Sequence, residues 1–241
     1  MSSIIGISAG SHDSAVSVIN NGKLVYAGHS ERYSGLKNDP NLNYNIISDA
    51  LLHCDEDIKI YFYEKPLLKK SRQLYDGQYY EAFFDKPISD IKKILDEFDL
   101  GDIKIKTISH HLSHASTSFI SPYQKSIVLV IDAIGEWDTL SIWLFDNKQK
   151  NKLKKLYSRK YPNSLGLFYS AFTQYTNLIP NKEEHIFMSN SAFGTPEFKY
   201  HIKKLLFNNN KLKYNLHKGL PKKIIENLDN FKKNIDKYKY S

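Results

Sequence analysis

Three histidines fall within five positions, in the stretch Ile108-Ser-His-His-Leu-Ser-His-Ala-Ser116, although the whole chain of 241 residues holds only nine. His110 and His114 are four apart, a spacing that puts both imidazoles on one face of a helix. Two neutral imidazoles so placed can hold a metal ion if a third ligand comes from elsewhere in the fold. An isolated His-x-x-x-His pair can equally cap a helix end or lie at a surface. The glutamate of the His-Glu-x-x-His pattern is absent, which argues against a zinc protease. The setting favours chemistry: an alternating run (Ile103, Ile105, Ile108) precedes the cluster, and the strand at 126–132, apolar until it ends on Asp132, follows it. Strand ends and helix starts are where α/β proteins place reactive groups.

Other positions could assist. Gly10-Ser-His12-Asp13 forms a turn of small and polar residues, where backbone N–H groups can meet an anion and His12 with Asp13 can polarise a ligand. An ordinary Asx-type turn reads equally well there. Glu31 and Arg32 could form a structural ion pair, and Lys37 could neutralise a phosphate or carbamoyl oxygen. Asp132-Ala-Ile-Gly-Glu136-Trp-Asp138 is acidic and follows an apolar strand, so Asp132 is a candidate third metal ligand or base. Pro162-Asn-Ser-Leu-Gly166 reads as a helix N-cap with a close backbone approach.

The elements that must position these groups are legible from periodicity. Strands are expected at 4–8, 15–19 and 23–27, the last two joined by the Asn20-Asn-Gly22 turn. Helices are expected at 44–53 and 87–98, and a strand at 58–63. Residues 67–84 read as a loop or irregular helix. Strands at 126–132, 139–145 and 153–160 form a second meander, taken as part of one sheet with a helical excursion. A helix follows at 165–178 with Ser164 as its cap, and residues 198–241 read as helical, broken at 208–210 and 219–221. The predicted organisation is a lobe at 1–163 and a helical, lysine-rich segment at 164–241.

Composition excludes several classes. A single cysteine, Cys54, rules out an internal disulfide and fits a reducing compartment. No run of 18 apolar residues occurs and the N-terminus lacks signal-peptide character, so a cytoplasmic location is expected. The net charge of +8 is local: residues 196–241 hold twelve lysines against four acids, and the rest balances at 22 of each sign. Charge carried by lysine alone in that segment, without an aromatic RNA-binding motif, argues against base-specific nucleic-acid readout. A solvated helical face is the expectation.

The order of the motifs is more specific than any one of them. His-Asp-Ser-Ala, Glu-Arg with a following Lys, His-His-Leu-x-His-Ala, Asp-x-x-Gly-Glu-Trp and Ser-Leu-Gly-x-x-Tyr-Ser run in series between about Ile4 and Pro196. The series resembles the N-terminal part of the O-carbamoyltransferases of the nodulation and antibiotic-biosynthesis type, which are similar in fold to threonylcarbamoyl-transfer proteins. The resemblance implies an α/β fold. It would be an RNase H-like lobe of the actin/Hsp70/sugar-kinase type, a mixed sheet with flanking helices, plus the helical C-terminal segment.

The resemblance also implies site roles. His110, His114 and Asp132 correspond to a site for iron (Fe2+) or another divalent metal. His12 and Asp13, with Asp132, correspond to catalytic positions, and Glu31, Arg32, Lys37 and Glu136 to positions that bind the cofactor or carbamoyl donor. The implied reaction moves a carbamoyl group from carbamoyl adenylate, made from carbamoyl phosphate and ATP, to an acceptor hydroxyl. The second lobe and the adenylate-forming domain are not found in these residues, which implies a partner polypeptide. The chain departs from the family pattern at Glu184-His-Ile-Phe-Met-Ser189, where a lysine and a glycine are replaced, and at Ser34-Gly-Leu-Lys37. Those departures leave a catalytically inactive remnant or binding module as the alternative.

Overall fold

A computed structural model describes residues 2–209 and 211–239. The chain forms two compact units, Met1–Thr117 and Ser118–Ser241. In the first, β1 (Ser2–Ser8), β2 (Ala15–Asn20) and β3 (Lys23–His29) make the expected meander, followed by a short α1 (Glu31–Ser34) and by α2 (Tyr44–Leu51). Asn43 caps α2 by accepting a hydrogen bond from the Ile46 N–H at 3.1 Å. β4 (Asp57–Phe62) then runs parallel to β1, with Ile5 beside Ile60 and Ile7 beside Phe62.

Next come α3 (Pro66–Tyr75), α4 (Tyr79–Phe84) and α5 (Pro87–Asp96). The region read as loop or irregular helix is therefore two regular helices, broken at Gly77, whose φ of 76° is left-handed. Aromatic residues spread round α4 hide its periodicity: Tyr79, Tyr80, Phe83 and Phe84 are exposed and only Ala82 is buried. The strand expected before the histidines shrinks to β5 (Lys106–Thr107), parallel to β4 and leading into α6 (His110–Ala115).

The resulting sheet has the order β3-β2-β1-β4-β5 and is mixed, antiparallel on one side of β1 and parallel on the other. Alternate residues of β1 and β2 enter the core, where Ile5, Val18, Ile46, Ile47, Phe62 and Leu95 are buried. Burial of that many large apolar side chains is the main stabilising term of this unit.

The second unit begins within a 3₁₀ turn, Ser116–Ile120, that starts in the first. β6 (Lys125–Gly135), β7 (Asp138–Asp146) and β8 (Leu153–Lys160) form a separate antiparallel sheet. The expectation of one sheet is thus corrected to two. β6 also departs from expectation. Read as a buried strand, it instead leaves Ile127, Leu129 and Ile131 exposed at alternate positions, so one of its faces is uncovered; among the described residues it pairs with β7 alone, at the sheet edge.

α7 (Leu165–Tyr175), α8 (Glu184–Ser191) and α9 (Lys199–Leu206) follow, then a small hairpin of β9 (Phe207–Asn208) and β10 (Lys211–Leu212), and finally α10 (Lys222–Lys239). Of the break read at 208–210, position 210 lies outside the described residues, as do 240 and 241 of the helical reading. The lysine-rich segment is no detached tail. Leu206, Leu216, Leu220, Ile224 and Leu228 pack with Tyr161, Leu167 and Phe172 in one core. Among the described side chains its lysines, such as Lys203, Lys222 and Lys223, are exposed, so the charged run and the apolar stripe are two sides of the same elements. Among the described residues no helix is long and apolar enough to cross a membrane.

Candidate metal and carbamoyl site

The register of the first sheet carries the histidines to the end of β4. Tyr61 pairs with Lys106 and Phe62 with Thr107, and the Ile108 N–H donates to the Phe62 carbonyl at 3.0 Å. Two residues later the chain turns into α6, so His110 stands at its first turn and His114 one turn on. Their Nε2 atoms lie 3.0 Å apart. Metal–nitrogen bonds of about 2.1 Å meeting at a right angle place two nitrogens about 3.0 Å apart, so the pair has the bite of two adjacent ligands on one cation. Without a cation, one imidazole N–H can donate to the other. His110 is packed against Tyr63, with ring centroids 5.2 Å apart, whereas His114 is exposed. His111 is buried, its ring centroid 6.1 Å from that of His110.

A second group of the expected residues gathers round the turn after β1. His12 Nδ1 lies 2.9 Å from Asp13 Oδ2, and the same carboxylate oxygen accepts from the Asn38 side-chain amide at 3.4 Å. Asn38 in turn donates its backbone N–H to Glu31 Oε2 at 3.2 Å. Asn38 therefore joins the His12–Asp13 turn to α1, and sequence reasoning missed it. The Asn38-Asp-Pro turn signal next to Lys37 was the available clue.

The turn is held by further backbone bonds. Gly10 N–H donates to the Pro40 carbonyl at 2.9 Å and Ser14 N–H to the Asp39 carbonyl at 2.8 Å. Asp39 is buried, and the Ser34 hydroxyl and the Asn41 N–H hold its carboxyl below the usual carboxylate range. The Glu31–Arg32 ion pair is not among those formed by the described residues; Glu31 engages Asn38 instead. Arg32 and Lys37 stand exposed.

In the second unit, Asp132 lies where the β6–β7 ladder breaks. Pairing is regular to Ile131–Leu140, shifts register, and resumes at Gly135–Asp138. Such a bulge turns side chains away from the strand's alternation. Asp132 Oδ1 accepts from the Ala133 N–H at 2.7 Å. Glu136, in the two-residue turn that follows, is buried and has a left-handed φ of 56°. The Ser164 hydroxyl caps α7 by accepting from the Leu167 N–H at 3.0 Å, and it donates to the Ala133 carbonyl at 2.6 Å. This confirms the N-cap read from Pro162-Asn-Ser-Leu-Gly166 and anchors the helix to the bulge.

Comparison with known proteins places these residues in context. A family profile described as carbamoyltransferase N-terminus matches residues 59–241, which takes in His110, His114, Asp132 and Glu136 but begins after His12, Asp13, Glu31, Arg32 and Lys37. The uncharacterized protein sll1178 of Synechocystis sp. is 35% identical over 228 residues, covering 82% of this chain and 36% of that protein. The uncharacterized protein MJ1058 of Methanocaldococcus jannaschii is 30% identical over 121 residues, covering 44% of this chain and 19% of that protein. The matches thus cover about a third of one relative's length and about a fifth of the other's.

Among solved structures, YeaZ from Pseudomonas aeruginosa matches with a TM-score of 0.37 and 10% identity over 66% of each chain. A protein described as similar to peptidase YeaZ from the same organism gives the same score and identity, over 92% of this chain and 98% of that one. Superpositions this loose carry no argument beyond the α/β architecture already described.

Proposed function

Because the chain belongs to the carbamoyltransferase N-terminus family, we propose that it is the N-terminal part of an O-carbamoyltransferase, acting on an acceptor hydroxyl. The observation that carries this reading is the His110–His114 pair, whose facing nitrogens have the spacing of two cis ligands. Iron (Fe2+) or another divalent metal would be held there with Asp132 as carboxylate ligand. Asp132 is assigned by its place in the motif series and its position at a bulge that frees its side chain from the strand pattern. The metal would act as a Lewis acid on the carbamoyl carbonyl.

The chain's own groups divide the remaining work. Asp13 holds the imidazole of His12 through Nδ1, which keeps the proton there and leaves the Nε2 lone pair free to accept the acceptor hydroxyl's proton. Asn38 fixes the Asp13 carboxylate from its other side. Lys37 and Arg32, exposed beside this turn, supply positive charge for an anionic donor such as carbamoyl adenylate, with Glu31 and Glu136 as further polar contacts to it. The fold in this reading is an RNase H-like lobe of the actin/Hsp70/sugar-kinase type. Activation of carbamoyl phosphate with ATP is assigned to a domain outside these 241 residues.

The inactive-remnant reading draws on one observation. At the positions of the family's lysine and glycine, α8 carries Ile186 and Ser189.

The test is metal uptake by the purified chain, measured by elemental analysis after anaerobic loading with Fe2+. Stoichiometric iron in the parent, lost in the His110→Ala/His114→Ala double variant with an unchanged circular dichroism spectrum, is the expected result. Iron retained by the double variant overturns the site. With the metal confirmed, carbamoyl transfer is assayed with carbamoyl adenylate supplied directly. Metal binding without any turnover, alone or with co-purifying chains, supports the binding-module reading instead.

A further inference from the structure

Glu64 is a buried acid that the motif series does not include. It lies two residues beyond Phe62 at the end of β4, as His110 lies two beyond Ile108, and the parallel register brings the two together. The residue is 3% exposed. One carboxylate oxygen, Oε1, accepts from Lys69 Nζ at 2.9 Å, and the other, Oε2, lies 3.9 Å from Nδ1 of His110. Lys69 comes from α3, which Pro66 starts immediately after the strand, so a tight strand-to-helix connection delivers the lysine to the acid.

A carboxylate this deeply buried is costly to leave without a partner. Lys69 neutralises it through one oxygen only. We infer that Glu64 is a positioning residue for His110, setting which imidazole nitrogen carries the proton and so preparing Nε2 as a metal ligand. The inference rests on the metal reading above and deepens it.

At 3.9 Å the contact is electrostatic rather than a hydrogen bond. A negative oxygen opposite Nδ1 favours an N–H there over a lone pair, since the N–H dipole points its positive end at the charge. The proton on Nδ1 leaves the Nε2 lone pair directed at His114. In the metal-free protein an Nε2–H of His114 can cross the 3.0 Å gap to that lone pair, and a cation would take the place of that proton, so His110 needs no tautomer change to bind it. Packing of the ring against Tyr63 fixes its plane as well. With a metal held on Nε2, the arrangement would be a carboxylate–histidine–metal relay, in which the outer carboxylate orients the ligand.

Glu64→Gln tests this while keeping the side chain's shape. Lys69 retains the amide oxygen, which turns the amide NH2 toward Nδ1 and makes that nitrogen an acceptor. Nitrogen-15 NMR of the metal-free protein should show His110 protonated at Nδ1 in the parent and shifted toward Nε2 in the variant. Affinity for Co2+, used as an air-stable probe and read by its visible spectrum, should fall roughly 10- to 100-fold. Thermal unfolding of the metal-free variant serves as the folding control.

The two readings fail separately. A parent that binds no Co2+ or Fe2+, yet shows the tautomer switch, sinks the metal site and leaves Glu64 as a tautomer-setting residue. A folded variant with an unchanged His110 tautomer and Co2+ affinity within twofold of the parent overturns the positioning role.

Discussion

Gly166 lies so close to Ala133 that a methyl group at position 166 would fall 2.5 Å from the Ala133 Cα and 2.6 Å from its nitrogen. Both are backbone atoms of the bulge that carries Asp132, and neither can move as a flexible side chain would. Gly166→Ala therefore sets two effects against each other. Alanine inside a helix gains about 1 kcal/mol of propensity over glycine. Overpacking against backbone costs about 1–3 kcal/mol, and the bulge must shift to relieve it. The expected result is a net loss of stability, read as a lower urea midpoint with an unchanged slope. A variant as stable as the parent would show that α7 does not press on the bulge.

Ser164 ties the same two elements by a different route. Its hydroxyl accepts from Leu167 N–H and donates to the Ala133 carbonyl, so Ser164→Ala removes a helix cap and an anchor together. Loss of the cap alone costs about 1 kcal/mol. The position is buried, so the Ala133 carbonyl loses its hydroxyl donor without gaining water, which adds to the loss. Ser164→Thr keeps both bonds and should recover most of the difference in thermal unfolding.

Why such details were or were not legible follows from the physics of each residue. The Ser164 cap and the Gly166 approach could be read because capping and close packing act on residue types at short, fixed spacing. The His110–His114 pair was legible for the same reason, since a helix makes positions four apart neighbours. Glu64 was not, because its closeness to His110 depends on the parallel register of β4 and β5, a pairing across more than forty positions that no local pattern records. The two helices at 66–84 escaped because the exposed aromatics of α4 erase its amphipathic stripe. β6 read as buried because its apolar run does not reveal that one face is left uncovered at a sheet edge. The lysines of 196–241 suggested a solvated segment, while the leucines between them form the core of the second unit.

Asp39 gives the His12–Asp13 turn an acid-sensitive anchor. The Ser34 hydroxyl and the Asn41 N–H favour its ionised form, so its folded pKa lies below the unfolded value of 3.8. A depressed carboxyl contributes stability that is present above the unfolded pKa and lost as pH falls through the folded one. Asp39→Asn removes that contribution. At pH 7 the variant should be less stable by about 1–3 kcal/mol, the usual worth of hydrogen bonds to a charged group. The gap should close as the pH drops below about 3.8 toward the folded pKa, and urea titrations from pH 7 to 3 measure it. A gap that stays constant with pH would mean that the carboxylate's charge is not what matters.

Tyr175 makes the opposite titration at the other end of the scale. Its hydroxyl donates to Asp229 Oδ1 at 2.6 Å, joining α7 to α10. Burial, then the Asp229 carboxylate beside it, push its pKa from 10.0 up to about 12. A raised folded pKa contributes stability that is fully present below the unfolded value and lost as pH rises through the folded one. The parent should therefore lose this contribution between pH 10 and 12, whereas Tyr175→Phe has none to lose. At neutral pH the variant should give up about 1 kcal/mol or less, because the carboxylate is exposed and screened. Amide hydrogen exchange localises the effect: faster exchange across residues 222–230 in Tyr175→Phe, with β1 and β4 unchanged, is the expected outcome. Equal exchange in α10 would show that its apolar side chains alone hold it in place. The comparison thus separates the two forces on the lysine-rich segment, an apolar stripe that is indifferent to pH and a phenol–carboxylate bond that is not.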